Sequence, residues 1–82
     1  MTVADNYEMY VDRVSAIVKV NNAELWRLKG EPLLHKHGIS GNLVNIDYDA
    51  NGNQQVYMYH FLPQYAEMIR RLLRVTHYTQ AL

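Results

Sequence analysis

The sequence predicts a small single-domain α+β fold: an antiparallel hairpin over about residues 42–61, covered by a C-terminal helix over about 63–78 and an N-terminal helix over about 4–20. Three observations predict it. Asn51-Gly52 lies between two alternating apolar runs. Apolar residues recur at helical spacing on either side of that hairpin. The chain has 82 residues, 49% of them hydrophobic, which suffices for one core and not for two.

At the N-terminus, apolar side chains fall at positions 3, 7, 10, 11, 14, 17 and 18, the stripe of an amphipathic helix. Asp5 and Glu8 have the spacing of a capping box. The composition offers an alternative, because Val11, Val14, Ile17, Val18 and Val20 are β-branched. In that reading a hairpin runs from Val14 to Lys29 about Asn21-Asn22, with Val18 opposite Leu25. On the helical reading, Asn21 or Asn22 caps a short helix from Ala23 to Lys29, with Gly30 beyond its end and Pro32 preventing continuation. Residues 30–41 hold three glycines and a proline, which marks a connector with at most one helical turn or a short edge strand.

The hairpin follows. A type I′ turn needs positive φ at both central residues, and Asn-Gly supplies it at low cost. A turn at Asn51-Gly52 sets Ile46 opposite Tyr57 and Val44 opposite Tyr59. One face then collects Val44, Ile46, Tyr48, Tyr57, Tyr59 and Phe61, and the other Asn45, Asp47, Val56, Met58 and His60. The first set requires a cover. Pro63 suits the first turn of the last helix, whose apolar residues at 62, 65, 66, 69, 72 and 73 form one stripe. Glu67 is placed to pair with Arg70 or Arg71 on its exposed side.

Eight basic and eight acidic residues balance, which removes the global electrostatic footprint of a nucleic-acid or anionic-membrane binder. The absence of Cys excludes disulfides, thiolate nucleophiles and Cys-based zinc sites in this chain. The first residues lack a basic and apolar leader pattern, and no apolar run is long enough to span a bilayer, so the expectation is a soluble cytoplasmic protein.

Motifs that carry chemistry are sparse. Asp47-Tyr-Asp49-Ala-Asn51-Gly52 reproduces the opening of an EF-hand loop, but Met58 stands where the closing carboxylate belongs, and the flanks read as strands. His35 and His37 would share a face only in an extended segment, and two imidazoles do not make a metal site. Ser40 lacks the strand-to-helix elbow of a hydrolase nucleophile. Asp47 and Asp49 lie on the wet face of a small sheet, where no burial raises a carboxyl pKa for acid catalysis. Neither a catalytic site nor a metal or cofactor is expected.

The order of helix, short helix, connector, hairpin with a Tyr-rich second strand, and helix resembles a shortened winged helix-turn-helix. Gly41-Asn-Leu-Val, leading into Asp49-Ala-Asn-Gly-Asn and Val56-Tyr-Met-Tyr, is similar to the wing of small bacterial repressors. The resemblance implies a nucleic-acid-binding regulator using Lys36, Arg70, Arg71 and Arg74. Pro32 to Ile39, in the place of the recognition helix, holds one Lys and is closed by Gly38, and the wing tip carries Asp49, Asn51 and Asn53 in place of basic residues.

The leading expectation is therefore a non-enzymatic protein–protein interaction or regulatory module that self-associates as a homo-oligomer. A two-stranded sheet has open edges, and the apolar and Tyr content exceeds what one short helix covers. The expected contact surface is the N-terminal helix with Tyr7, Tyr10 and Val14, together with Trp26.

Overall fold

The computed structural model of the protein describes residues 7–48, 50–52 and 54–81. They form a small α+β domain, a five-stranded mixed sheet with two helical segments on one face. The strands are β1 (Tyr7–Val11), β2 (Ala16–Val20), β3 (Asn42–Tyr48), β4 (Gln54–Phe61) and β5 (His77–Gln80). Their order across the sheet is β3-β4-β2-β1-β5, antiparallel except for the parallel pair β1–β5. Two crossovers, β2 to β3 and β4 to β5, each carry a helical segment. Among the described residues, no helix is long and apolar enough to cross a membrane.

The N-terminal helix does not form. Residues 7–20 are the β1–β2 hairpin, and residues 4–6 lie outside the described residues. The apolar residues that fit a helical stripe also alternate within each strand, and alternation prevails. Tyr7, Met9 and Val11 are buried on β1, and Ala16, Val18 and Val20 on β2. Asp12 fixes the break between them: its Oδ1 accepts the backbone N–H groups of Val14 and Ser15, both at 2.9 Å, in an Asx-type turn. The alternative hairpin of residues 14–29 is corrected as well. Its first arm is a strand, but its partners are β1 and β4, and the chain turns helical at Ala23.

The first helical segment, α1, spans residues 23–36 and outlasts the expected stop at Gly30. Asn22 caps it, its Oδ1 accepting the Leu25 N–H at 3.1 Å. Its centre, Trp26–Gly30, is a wider π turn, in which the Glu31 N–H reaches back to the Trp26 carbonyl. Pro32 accounts for it. A proline ring collides with the carbonyl four residues earlier, here that of Leu28, and a wide turn just before it lets the helix continue to Lys36. Gly30 lies inside this turn, where a Cβ would come within 2.6 Å of the Tyr7 hydroxyl oxygen and 2.7 Å of Trp26 Cε3. The residues expected to be a connector are therefore largely helical. Gly38, at φ +75°, ends α1, and the N–H groups of Gly38 and Ile39 return to the carbonyls of His35 and Leu34.

The second segment begins with a 3-10 turn at Pro63–Tyr65 and continues as α2 (Ala66–Leu73). It ends earlier than its apolar stripe implies. Arg74 takes a left-handed conformation at φ +54°, and Tyr78 belongs to β5 instead of to the helix. The segment after Arg74 contains Val75, Thr76 and Thr79, β-branched residues that favour the extended chain and complete the sheet edge beyond β1.

The C-terminal hairpin forms, but not about the two-residue type I′ turn: ladder pairing ends at Tyr48 opposite Gln54, and of Asn51 and Gly52 only Gly52 takes a positive φ, at +84°. A shorter run of the predicted register remains. Ile46 faces Tyr57 and Asn45 faces Met58, but Leu43 faces Tyr59, and the pairing shifts once more between Asp47 and Tyr48. Tyr57, Tyr59 and Phe61 lie under the helix layer. Of the β3 members of that predicted dry face, Ile46 is half-buried, but Val44 and Tyr48 do not share its cover, at 55% and 58% exposed. The core comprises Tyr7, Met9, Val18, Val20 and Phe61 from the sheet against Trp26, Leu34, Ile39, Ile69 and Leu73 from the helix layer.

Candidate interaction surface

Strand geometry separates the four residues expected to form one contact surface. Positions 7 and 10 share a helix face, but an odd separation places them on opposite faces of a strand. Tyr7 lies in the core, edge-on to Trp26 with ring centroids 6.1 Å apart, and burial pushes its phenol up. Trp26 is 1% exposed and also packs on Tyr59 at 5.0 Å. Tyr10 emerges on the opposite face, where its hydroxyl donates to Glu8 Oε1 at 3.0 Å. Val14, 75% exposed, stands in the β1–β2 turn. Tyr7 and Trp26 are thus core residues, and only Tyr10 and Val14 are available to a partner.

The basic residues fall on the helix layer, Lys36 at the end of α1 and the three arginines on and just after α2. Arg70 is engaged. Its Nη2 and Nε donate to the two oxygens of Glu67 at 3.0 and 3.3 Å, and its guanidinium lies 5.1 Å from the centre of the Tyr78 ring. The arginine hydrogen bond holds the Glu67 carboxyl below its ordinary range. Arg71 reaches Glu67 only at 4.0 Å and is far more exposed. The nucleic-acid set is therefore not equivalent by position, with Lys36, Arg71 and Arg74 exposed and Arg70 tied down.

His35 and His37 close a helix instead of lying in an extended segment, so they do not share a face. Among the described residues, no group of three His, Asp or Glu side chains is arranged to hold a metal ion. Of the calcium-like loop, Asp47 is in β3 and accepts a hydrogen bond from Asn45 Nδ2 at 3.2 Å, while Asp49 lies outside the described residues.

A shallow depression of about 150 Å³ opens where β1, β2 and β5 meet, lined chiefly by Tyr10, Val11, Ile17, Thr79 and Ala81. Its acidic residue is Asp12, whose Oδ1 is already used by the turn and by the Ser15 hydroxyl at 3.2 Å. Those backbone hydrogen bonds hold the Asp12 carboxyl below its usual range, so it remains an anion that shapes the turn.

The named contact residues left out the edge strand β3, although open hairpin edges were expected. Among the described residues it pairs only with β4, so one row of its backbone donors and acceptors faces outward. Six of its seven residues are exposed, among them Leu43, Val44 and Tyr48. The opposite edge, β5, has four residues, of which only Tyr78 packs on the core. A signal for β3 was present in the sequence. Leu43 and Val44 are consecutive apolar residues in a run that otherwise alternates, and the register slips at that point.

Comparison of the chain with family models, with curated proteins and with solved structures finds no match.

Proposed function

We propose that the chain is a non-enzymatic protein-interaction module that self-associates by strand addition at β3. The observation that supports this reading is the apolar, unpaired edge of β3. A seven-residue edge strand offering Leu43, Val44 and Tyr48 to solvent suits the addition of another extended strand, whose main-chain hydrogen bonds supply affinity while alternate side chains supply register. A second β3 is the economical partner. Pairing β3 with β3 about a two-fold axis closes, whereas pairing β3 with β5 would leave free edges at both ends and build an open chain.

The test is the solution mass over a wide dilution series, by light scattering behind size exclusion, for the native chain and for Val44→Lys. Lysine on an edge strand opposes strand addition. Val44 is exposed, so the fold survives the change. Expected is a native dimer that dissociates only on strong dilution and a variant that is monomeric throughout. A native chain that is monomeric at the highest concentration refutes the reading.

A further inference from the structure

The balanced charge of the sequence conceals a segregation in space. The helix layer carries Arg27, Lys29, Lys36, Arg70, Arg71 and Arg74 against Glu24, Glu31 and Glu67, six cations against three carboxylates and a net of +3. Among the described residues, the strands and their turns carry Glu8, Asp12 and Asp47 against Arg13 and Lys19, a net of −1. The two helical segments pack on each other over the same side of the sheet, so these cations belong to one side of the molecule. That side is also partly apolar: Leu28, between Arg27 and Lys29, is 70% exposed, and Leu62 before the 3-10 turn and Met68 on α2 are exposed as well.

We propose that the helix layer is a second docking surface, for an acidic protein segment that also carries apolar side chains. Two observations select this occupant over a nucleic acid. Exposed leucine and methionine gain nothing from a phosphate backbone but are buried by apolar side chains of a peptide. Among the described residues, no large aromatic ring of the layer is exposed to stack on a base, because Trp26 is in the core and Tyr65 is half-buried against it. The charge complements acidic residues, and the interleaved apolar residues supply the part of affinity that salt does not screen.

This surface is independent of the β3 edge, and its test keeps the two apart. A fluorescein-labelled peptide of alternating Glu and Leu is titrated by anisotropy, at low and at physiological salt, into the native chain and into Val44→Lys. The same peptide with Gln for Glu and a single-stranded DNA oligonucleotide serve as comparisons. The acidic peptide should bind both proteins alike and weaken with salt, and the Gln peptide should bind at least about tenfold more weakly. Arg71→Glu should weaken the acidic peptide by about tenfold, and Leu28→Ser should weaken it without altering the salt dependence. Unchanged Trp26 emission certifies each fold. Equal binding of the two peptides, tighter binding of the DNA, or no binding of the acidic peptide overturns the proposal.

Discussion

The same strands present two unlike faces. On one, Tyr7, Met9 and Val11 of β1 lie beside Ala16, Val18 and Val20 of β2, all buried under the helix layer. On the other, the residues between them, Glu8, Tyr10, Ile17 and Lys19, meet no covering element among the described residues, and Glu8 accepts hydrogen bonds from the Tyr10 hydroxyl and from Asn21 Nδ2 across the surface. Alternation sends each residue to one side or the other, so a single hairpin supplies both the cohesion of the domain and its open surface. Stability should therefore reside almost wholly in one face, and the other should be free to vary. A single domain of this size has only a few kcal/mol in hand, so the difference is measurable by ordinary denaturation.

The largest contrast is between Trp26 and Ile17. Trp26 touches Tyr7 and Tyr59 at the centre of the covered face, and Trp26→Ala should cost roughly 3–5 kcal/mol, enough to unfold much of the protein at ambient temperature. Ile17 is on the open face, and Ile17→Ser should cost less than about 1 kcal/mol. Urea titration by far-ultraviolet circular dichroism measures both. Trp26→Phe refines the first number. Among the described residues, the indole Nε1 is a buried donor without a partner, a defect worth about 1–3 kcal/mol, and phenylalanine removes it with part of the ring. The loss for Phe should be well below that for Ala. Comparable losses at positions 17 and 26 would mean that the open face is covered in solution.

Much of this was legible in the sequence, and the reason lies in which signals are local. Asn51-Gly52 and its flanking alternation located the hairpin, and Pro63 with its stripe located the last helix. Asn22 as a cap needed no tertiary information. The N-terminal half failed because residues 7, 10, 11, 14, 17 and 18 satisfy a helical period, while 7, 9, 11, 16, 18 and 20 satisfy a strand period on either side of a turn. The turn at Asp12, which decides between them, depends on one side chain bonding to two backbone groups. The wide turn at Trp26–Gly30 was illegible because Gly30 and Pro32 ordinarily end a helix, and here tertiary packing of Trp26 and Leu34 carries the helix through them. The candidate surface was half legible. The long apolar strand was visible, but only the sheet order makes it an edge.

A smaller effect separates the two stops of the helix layer, which share one hydrogen-bond pattern. At each, two successive N–H groups return to the carbonyls three and five residues earlier, at Gly38 and Ile39 and again at Arg74 and Val75. The left-handed residue is glycine in the first and arginine in the second, at φ +75° and +54°. A side chain in that region costs about 1 kcal/mol, so Gly38→Ala should destabilise by about that amount and Arg74→Gly should stabilise by about 0.5–1 kcal/mol. Thermal midpoints should move in opposite directions. A fall in midpoint for Arg74→Gly would show that the arginine side chain makes a contact worth more than its backbone strain.

The smallest effect is acid sensitivity, to which Glu8 on the open face should contribute measurably. Among the described residues the covered face holds no buried carboxylate. Glu8 on the open face accepts hydrogen bonds from Tyr10 and from Asn21 Nδ2, at 3.0 and 3.3 Å, and these hold its pKa below the ordinary glutamate value. A carboxyl whose pKa is depressed in the folded state contributes stability that is complete above its unfolded pKa and is lost as pH falls through the folded one. Asp12, lowered by the turn, acts in the same sense. Glu8→Gln should therefore flatten the loss of stability on the acid side and leave the pH dependence near neutrality unchanged, read from urea midpoints at several pH values. If Glu8→Gln and the native chain lose stability in parallel, the sensitivity lies instead with Asp12 in the turn or with Glu67, which Arg70 holds on the helix layer, and the open face contributes only surface.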